Sequence, residues 1–275
     1  MRMFISYDTK NRLLDKLYRG ELEMLAKNKN AIIYSVITLF ITSVMGEIVL
    51  FLFPNGVSIG SSILFIFMNL VPMITAIVFS IKNVECKNLF DFFRQSFFQK
   101  ESLFSFILVL MIPFIYYEVS ALLENVNYLN ASIQTVLAYF PWTFLQGGLE
   151  EVGWRWYLQE HIHVKKDSFI FKMLLISIVW FLWHIPIYRL PWIVVGSSNY
   201  IIFYLMILGN TFTLGMLKEF SKGVIPCIIS HMLIDTMAVM MLVKSSLIPI
   251  IILVVIEIVF STLLVYFYKG KNQVL

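Results

Sequence analysis

Three short stretches of this chain carry side chains that can move protons. Gly147-Gly148-Leu149-Glu150-Glu151-Val152-Gly153-Trp154-Arg155 sets two adjacent carboxylates before an arginine. Trp180-Phe181-Leu182-Trp183-His184 puts a histidine in an apolar run, and His231-Met232-Leu233-Ile234-Asp235 sets a histidine four residues before a carboxylate. On a helix, Glu151 and Arg155 are one turn apart and can pair. Glu150 lies about 100° round the helix and faces elsewhere. One carboxylate therefore reads as structural and the other as free, while His231 and Asp235 share a helix face.

Glutamate, two histidines and an aspartate, with no obvious nucleophile beside them, suit the activation of water. Glu150 can take a proton from water while a histidine orients it. The other histidine can donate to a developing oxyanion. The alternative is a zinc ion held by His184, His231 and Glu150 with one position open, although the chain has no HExxH string. A lone histidine in an apolar span is more often a hydrogen-bonded packing residue than a catalyst. Three helices that each carry costly polar groups are another matter, because such groups should meet.

The elements that must position these residues are membrane spans. The 275 residues are 59% hydrophobic and 14% charged, which excludes an ordinary soluble domain. The expected fold is all-α, a polytopic integral membrane bundle of about eight transmembrane helices. Apolar runs at 31–53, 58–81, 102–123, 131–149, 168–188, 199–217, 222–243 and 246–268 are each long enough to cross hydrocarbon. Residues 1–30 are polar and basic. Leu14, Leu17, Tyr18, Leu22 and Leu25 recur there at helical spacing, as in a surface amphipathic helix or a solvated cytoplasmic one. This segment is too polar for a cleavable signal peptide. The domain reading is thus an N-terminal segment, 1–30, and one bundle, 31–268.

With the N-terminus inside, all 21 Lys and Arg except Arg189 and Lys244 fall on inner segments, which predicts a multi-pass protein of the cell membrane with both termini cytoplasmic. The net charge of +4 is spread along the chain, so nucleic acid is not an expected partner. Cys86 and Cys227 have neither metal nor disulfide spacing. Glu47, Glu118 and Glu257 also fall in or near spans, where bonding to neighbouring helices is the plainer expectation and a proton path the sharper one. Trp142, Trp154, Trp156, Trp183 and Trp192 crowd the motif region; interface and packing account for most, with a substrate-facing Trp183 as the sharper reading.

In these three stretches, over roughly residues 130–240, the chain resembles the CAAX protease and bacteriocin-processing family of intramembrane proteases, also called CPBP or Abi. The family pattern is Glu-Glu-x-x-x-Arg, Phe-x-x-x-His and His-x-x-x-Asn/Asp, in that order and on helices. Trp180 stands where the family usually has Phe, which bears on pocket shape. The resemblance implies an endopeptidase in which Glu150 and His184 activate water, and His231 and Asp235 stabilise the oxyanion. Glu151 and Arg155 would be the supporting pair, and Asp235 would be either protonated or an orienting group for His231. The implied partners are the lipid bilayer and a peptide or membrane-protein substrate. Zinc is the one cofactor to weigh, since the family is often labelled metalloprotease, but a metal-free glutamate mechanism fits at least as well. Two further readings stand beside it. One is a non-catalytic immunity or regulatory protein on the same scaffold. The other is a small transporter, which would show inverted repeats absent from this sequence.

Two positions do not agree in this reading. Counting along the spans puts Glu150 near one face of the membrane and His184 near the other.

Overall fold

The computed structural model describes residues 22–192 and 199–272. Leu14, Leu17 and Tyr18 of the expected amphipathic helix lie outside the described residues; Leu22 and Leu25 are exposed on the helical lead-in to the first span.

Among the described residues, the architecture is a helical bundle with one small β ladder. In chain order it has α1 (Lys29–Leu52), α2 (Ile59–Lys82), α3 (Leu89–Ser96), α4 (Leu103–Leu122), β1 (Val126–Tyr128) and α5 (Ile133–Thr143). The chain then runs through two π-helical segments, Phe144–Gly148 and Val152–Leu158, into α6 (Gln159–His161). After a 3₁₀ turn come α7 (Phe169–Tyr188), α8 (Tyr200–Glu219), α9 (Ile225–Met237), β2 (Met241–Val243) and α10 (Leu247–Asn272). Six of these helices are long and apolar enough to cross a membrane: α1, α2, α4, α7, α8 and most of α10. This is a multi-pass membrane protein.

Local chemistry marks the helix starts. Ser58, Ser102 and Ser132 each accept a backbone N–H from the third residue on, and Asn199 does the same for Ile201 and Ile202. The string Gly56-Val57-Ser58-Ile59-Gly60 has the Gly-x-Ser-x-Gly spacing of a hydrolase nucleophile. Its serine is spent as the α2 cap, forming a capping box with Ser61.

Two of the expected spans need correction. The fourth, drawn as 131–149, is the beginning of one continuous helical rod that runs to His161. Its second half carries Glu150, Glu151, Arg155 and Gln159, polar side chains that end an apolar count but are buried here. The seventh, drawn as 222–243, is only the 13-residue α9, followed by a turn and strand β2. β1 and β2 pair antiparallel, Val126 opposite Val243 and Tyr128 opposite Met241. Six long spans, the 133–161 rod and the short α9 thus replace the uniform set of eight.

The core sits around the rod. Trp154 and Trp183 meet edge to face at 5.6 Å, and Tyr34 packs on both Trp154 and Tyr157. Trp183 is buried and donates its indole N–H to Thr42 at 3.0 Å, so it serves as a strut between α7 and α1.

A candidate active site on a π-distorted helix

Pro141 leaves one carbonyl of α5 without its ladder N–H, and three residues later the helix takes a π turn, where the Leu149 N–H reaches back five residues to the Phe144 carbonyl at 3.0 Å. A second π segment starts at Val152. Glu150 and Glu151 lie between the two. Gly147 and Gly148 let this distorted stretch lie directly on α9. A β-carbon on Gly147 would sit 2.5 Å from Asp235 Oδ2 and 3.2 Å from His231 Nε2, and one on Gly148 would crowd Ile228 and Met232.

The polar residues of the three motifs converge. Arg155 Nε donates to Glu151 Oε2 at 2.7 Å, and both side chains are fully buried. His231 Nδ1 lies 2.8 Å from Glu151 Oε1 and 3.6 Å from Glu150 Oε1. The expectation that Glu150 faces elsewhere is therefore too strong. With the backbone loosened on either side, two adjacent long side chains flank one imidazole. Their environments still differ. Glu150 accepts the Trp154 indole N–H at 3.2 Å and lines a cavity of about 490 Å³, whereas Glu151 is closed off by Arg155 and His231.

His184, His231, Asp235 and Trp180 share that cavity wall. The His184 Nδ1–H donates to the Trp180 carbonyl at 2.8 Å, leaving Nε2 as the basic nitrogen. His231 Nε2 is 3.7 Å from Asp235 Oδ2. The Trp180 ring fills the space between these groups. Arg155 lies 5.1 Å over it, His231 meets it edge to face at 5.6 Å, and His184 tilts against it at 5.4 Å. Among the described residues, Trp180 Nε1 and Arg155 Nη2 are buried donors without a partner.

The depth disagreement between Glu150 and His184 is resolved by the corrected rod: Glu150 lies within a helical stretch spanning 133–161 rather than at its end, and it lines the same cavity as His184. Glu47, Glu118 and Glu257 do not line the cavity. Glu47 pairs with Arg189 at the surface, Glu118 is exposed, and Glu257 is buried against Gly209.

With this geometry in view, the chain can be compared with known proteins. Residues 132–237 match the family model described as type II CAAX prenyl endopeptidase Rce1-like. This segment is similar to the CPBP family. The match begins at Ser132, the cap of α5, and ends with α9, so it contains all three motifs and leaves α1–α4 and α10 outside. No curated protein matches the chain.

The site residues bear on whether a metal could be held here. Among the described residues, the ligand atoms that come within 4.8 Å of one another belong to Glu150, Glu151 and His231; His184 lines the cavity outside that group. Two carboxylates and an imidazole are acceptable zinc donors. Here, however, both oxygens of Glu151 are engaged, and the Arg155 guanidinium lies against it as a buried permanent cation. That cation already supplies the charge a metal would bring, and it would repel one. The residues do not fit a resident zinc. Sequence reasoning missed the contact of His231 with Glu151, the bond from Trp154 to Glu150 and the tyrosines of the cavity wall (Tyr116, Tyr117, Tyr139 and Tyr188). Glycines at 147, 148 and 153 are the signal that could have pointed to close helix approach.

Proposed function

We propose that the protein is an intramembrane endopeptidase that hydrolyses a peptide bond with water activated by Glu150. The observation that carries this reading is the buried Glu150–His231–Glu151–Arg155 chain opening, at Glu150 alone of its two carboxylates, onto a cavity that His184 also lines. The match of residues 132–237 to a peptidase family model supports it.

In this mechanism Glu150 uses the oxygen not held by Trp154 to take a proton from water. His184 accepts the second water hydrogen at Nε2, its Nδ1–H being fixed on the Trp180 carbonyl, and so aims the lone pair. The hydroxide adds to the scissile carbonyl. His231 holds one proton on Nδ1 toward Glu151 and, when doubly protonated, offers Nε2–H to the oxyanion. Asp235, close to Nε2, orients that ring. As the C–N bond breaks, Glu150 returns its proton to the leaving amine. Arg155 and Trp180 fix the electrostatic and steric frame. The family description directs the first choice of substrate to a prenylated peptide ending in cysteine, two aliphatic residues and a final residue.

The test is cleavage of an S-farnesylated fluorogenic peptide of that form by purified protein in liposomes, with an unlipidated control and the Glu150→Gln variant. Cleavage by the wild type that is lost in Glu150→Gln supports the proposal. Equal cleavage by both proteins would overturn the role of Glu150, and no cleavage of either peptide would favour a non-catalytic regulatory role. On the charge bias, we also place the protein in the cell membrane with both ends cytoplasmic. Reporter fusions at residues 1 and 275 check this, and an external signal at either end would overturn it.

A further inference from the structure

Buried oxygen atoms without a partner gather at the seam between two spans, α8 and α10, which pack along their length. The two helices run in the same direction. Glu257 meets Gly209 midway, and Tyr268 and Lys269 meet Phe220 and Glu219 at the end. Glu257 lies in the middle of the apolar span of α10 and is 1% exposed. Neither of its carboxylate oxygens has a hydrogen-bond partner among the described residues. Ser261, one turn further along α10, is fully buried, and its Oγ is unpartnered as well. On α8, Thr213 is one turn beyond Gly209 and fully buried. Its Oγ1 makes only long bonds, to the Gly209 carbonyl at 3.4 Å and the Asn210 carbonyl at 3.3 Å. Residues four apart share a helix face, so in this parallel register Glu257 and Ser261 face Gly209 and Thr213.

The seam is shaped to admit the carboxylate. A β-carbon on Gly209 would collide with Glu257 Oε2, so glycine is the residue that leaves the space. A bare carboxylate in the middle of a span is costly and needs something to neutralise it. A proton removes the charge, but the O–H it creates still needs an acceptor, and none stands within hydrogen-bond reach. A metal cation answers both needs at once. It is held by oxygens that are too far apart to bond one another, and oxygen is the ligand of hard ions. One carboxylate balances one positive charge, whereas a divalent ion would leave an excess charge among apolar helices.

We propose that Glu257, with the hydroxyls of Ser261 and Thr213, holds a monovalent alkali cation in the seam between α8 and α10. The site is separate from the Glu150 cluster and does not depend on the peptidase reading. It lies close to the catalytic cavity, because Asn210, the neighbour of Gly209, lines that cavity and carries a buried, unpartnered Oδ1.

The experiment is thermal unfolding of the purified full chain in detergent, after exchange into choline chloride, with NaCl or KCl replacing choline at constant ionic strength. Either alkali ion should raise Tm in a saturable way, by about 5 °C at about a hundred times its dissociation constant. Glu257→Gln should lose this response and melt at or above the alkali-free wild type. Ser261→Ala should keep the response but raise the half-saturating concentration by about fivefold, as expected for one lost ligand. A wild-type Tm that is the same in choline, sodium and potassium overturns the site and leaves Glu257 a neutral acid. An alkali response undiminished in Glu257→Gln places the ion elsewhere and also overturns it. If Glu257→Gln does not fold, Ser261→Ala decides, and an unchanged half-saturating concentration overturns the proposal.

Discussion

The two adjacent glutamates should fail in different ways when each is neutralised. Glu151→Gln leaves Arg155 charged in a fully buried position. Its Nη2 has no partner among the described residues, and its Nη1 has only a 3.4 Å bond to the Thr211 carbonyl. Removing one member of a buried pair costs about 3–5 kcal/mol. Two contacts soften this. The glutamine carbonyl can still accept the Nε–H, a bond worth about 1 kcal/mol, and Trp180 beneath the guanidinium keeps a cation–π contact. The expected loss is therefore at the low end, about 3 kcal/mol, or roughly 6 °C in Tm at about 2 °C per kcal/mol for a chain of this size. Glu150→Gln keeps the acceptor for Trp154 and strands no charge. It should leave Tm within about 1 °C and lower turnover about 10²–10⁴-fold. Replacing both members of the pair, as in Glu151→Leu with Arg155→Met, should recover most of the lost stability, since apolar replacements of buried pairs are often neutral. It should not recover turnover, because His231 loses the acceptor for its Nδ1 proton. Thermal melts in detergent and peptide cleavage in liposomes read the two effects separately. A Glu151→Gln protein as stable as wild type would refute the buried-pair argument. A Glu150→Gln protein that cleaves normally beside a folded but inactive Glu151→Gln protein would reverse the assignment.

Gly147→Ala places a methyl 2.5 Å from Asp235 Oδ2 and 3.2 Å from His231 Nε2; it should lower kcat by about tenfold or more with little loss of folded protein, and unchanged kcat would show that the Asp235–His231 approach does not matter. At the end of the rod, the His161 Nε2–H donates to Glu85 at 2.9 Å and its Nδ1–H to the Tyr157 carbonyl at 2.8 Å. Burial alone would raise the Glu85 carboxyl and lower the His161 imidazole, but their mutual hydrogen bond and charge outweigh it, so Glu85 sits below and His161 above its ordinary value. The histidine contribution is complete below its ordinary 6.5 and is lost as pH rises through the raised value. The carboxylate contribution is complete above its ordinary 4.5 and is lost as pH falls through the lowered one. The Tm difference between wild type and His161→Gln should therefore be largest between pH 4.5 and 6.5 and shrink at higher pH; a difference that grows above pH 7 would contradict this pairing. Glu257 is buried in α10 against Gly209, with neither carboxylate oxygen partnered among the described residues. Glu257→Leu should be neutral or stabilising, since such a group costs about 1–3 kcal/mol, whereas Gly209→Ala should destabilise by displacing it, and a strongly destabilised Glu257→Leu would mean the carboxylate has a partner.

Apolar run length marked the long spans because a helix in lipid satisfies its own backbone and needs only an apolar exterior. The same criterion failed where burial is internal. Glu151, Arg155 and Gln159 look like the end of a span to a residue count. In the fold, Arg155 is neutralised by Glu151, and Gln159 donates to the Gly215 carbonyl at 2.9 Å, so the helix continues to His161. Around 240 the failure is of another kind. Val239 to Val243 is as apolar as any helix, and composition cannot separate a buried strand from a buried helix. What makes it a strand is a partner, 126–128, more than a hundred residues earlier.

The motif residues were legible because their types are expensive in this setting; their mutual geometry was not, because it depends on backbone irregularity. An ideal helix through 133–161 would separate Glu150 and Glu151 by about 100° and leave His231 to one of them. The two π segments break that regularity, and Gly147 and Gly148 let the first of them lie against α9. The outcome is a pair of carboxylates with different environments a single residue apart. One is fixed between a guanidinium and an imidazole, and the other is held by one indole N–H with an oxygen left for the cavity. General-base chemistry needs that inequality, because a carboxylate already saturated by cations has little affinity for a water proton. In the proposed mechanism the Glu-Glu pair thus divides two tasks: Glu151 anchors the imidazole of His231, and Glu150 is the base.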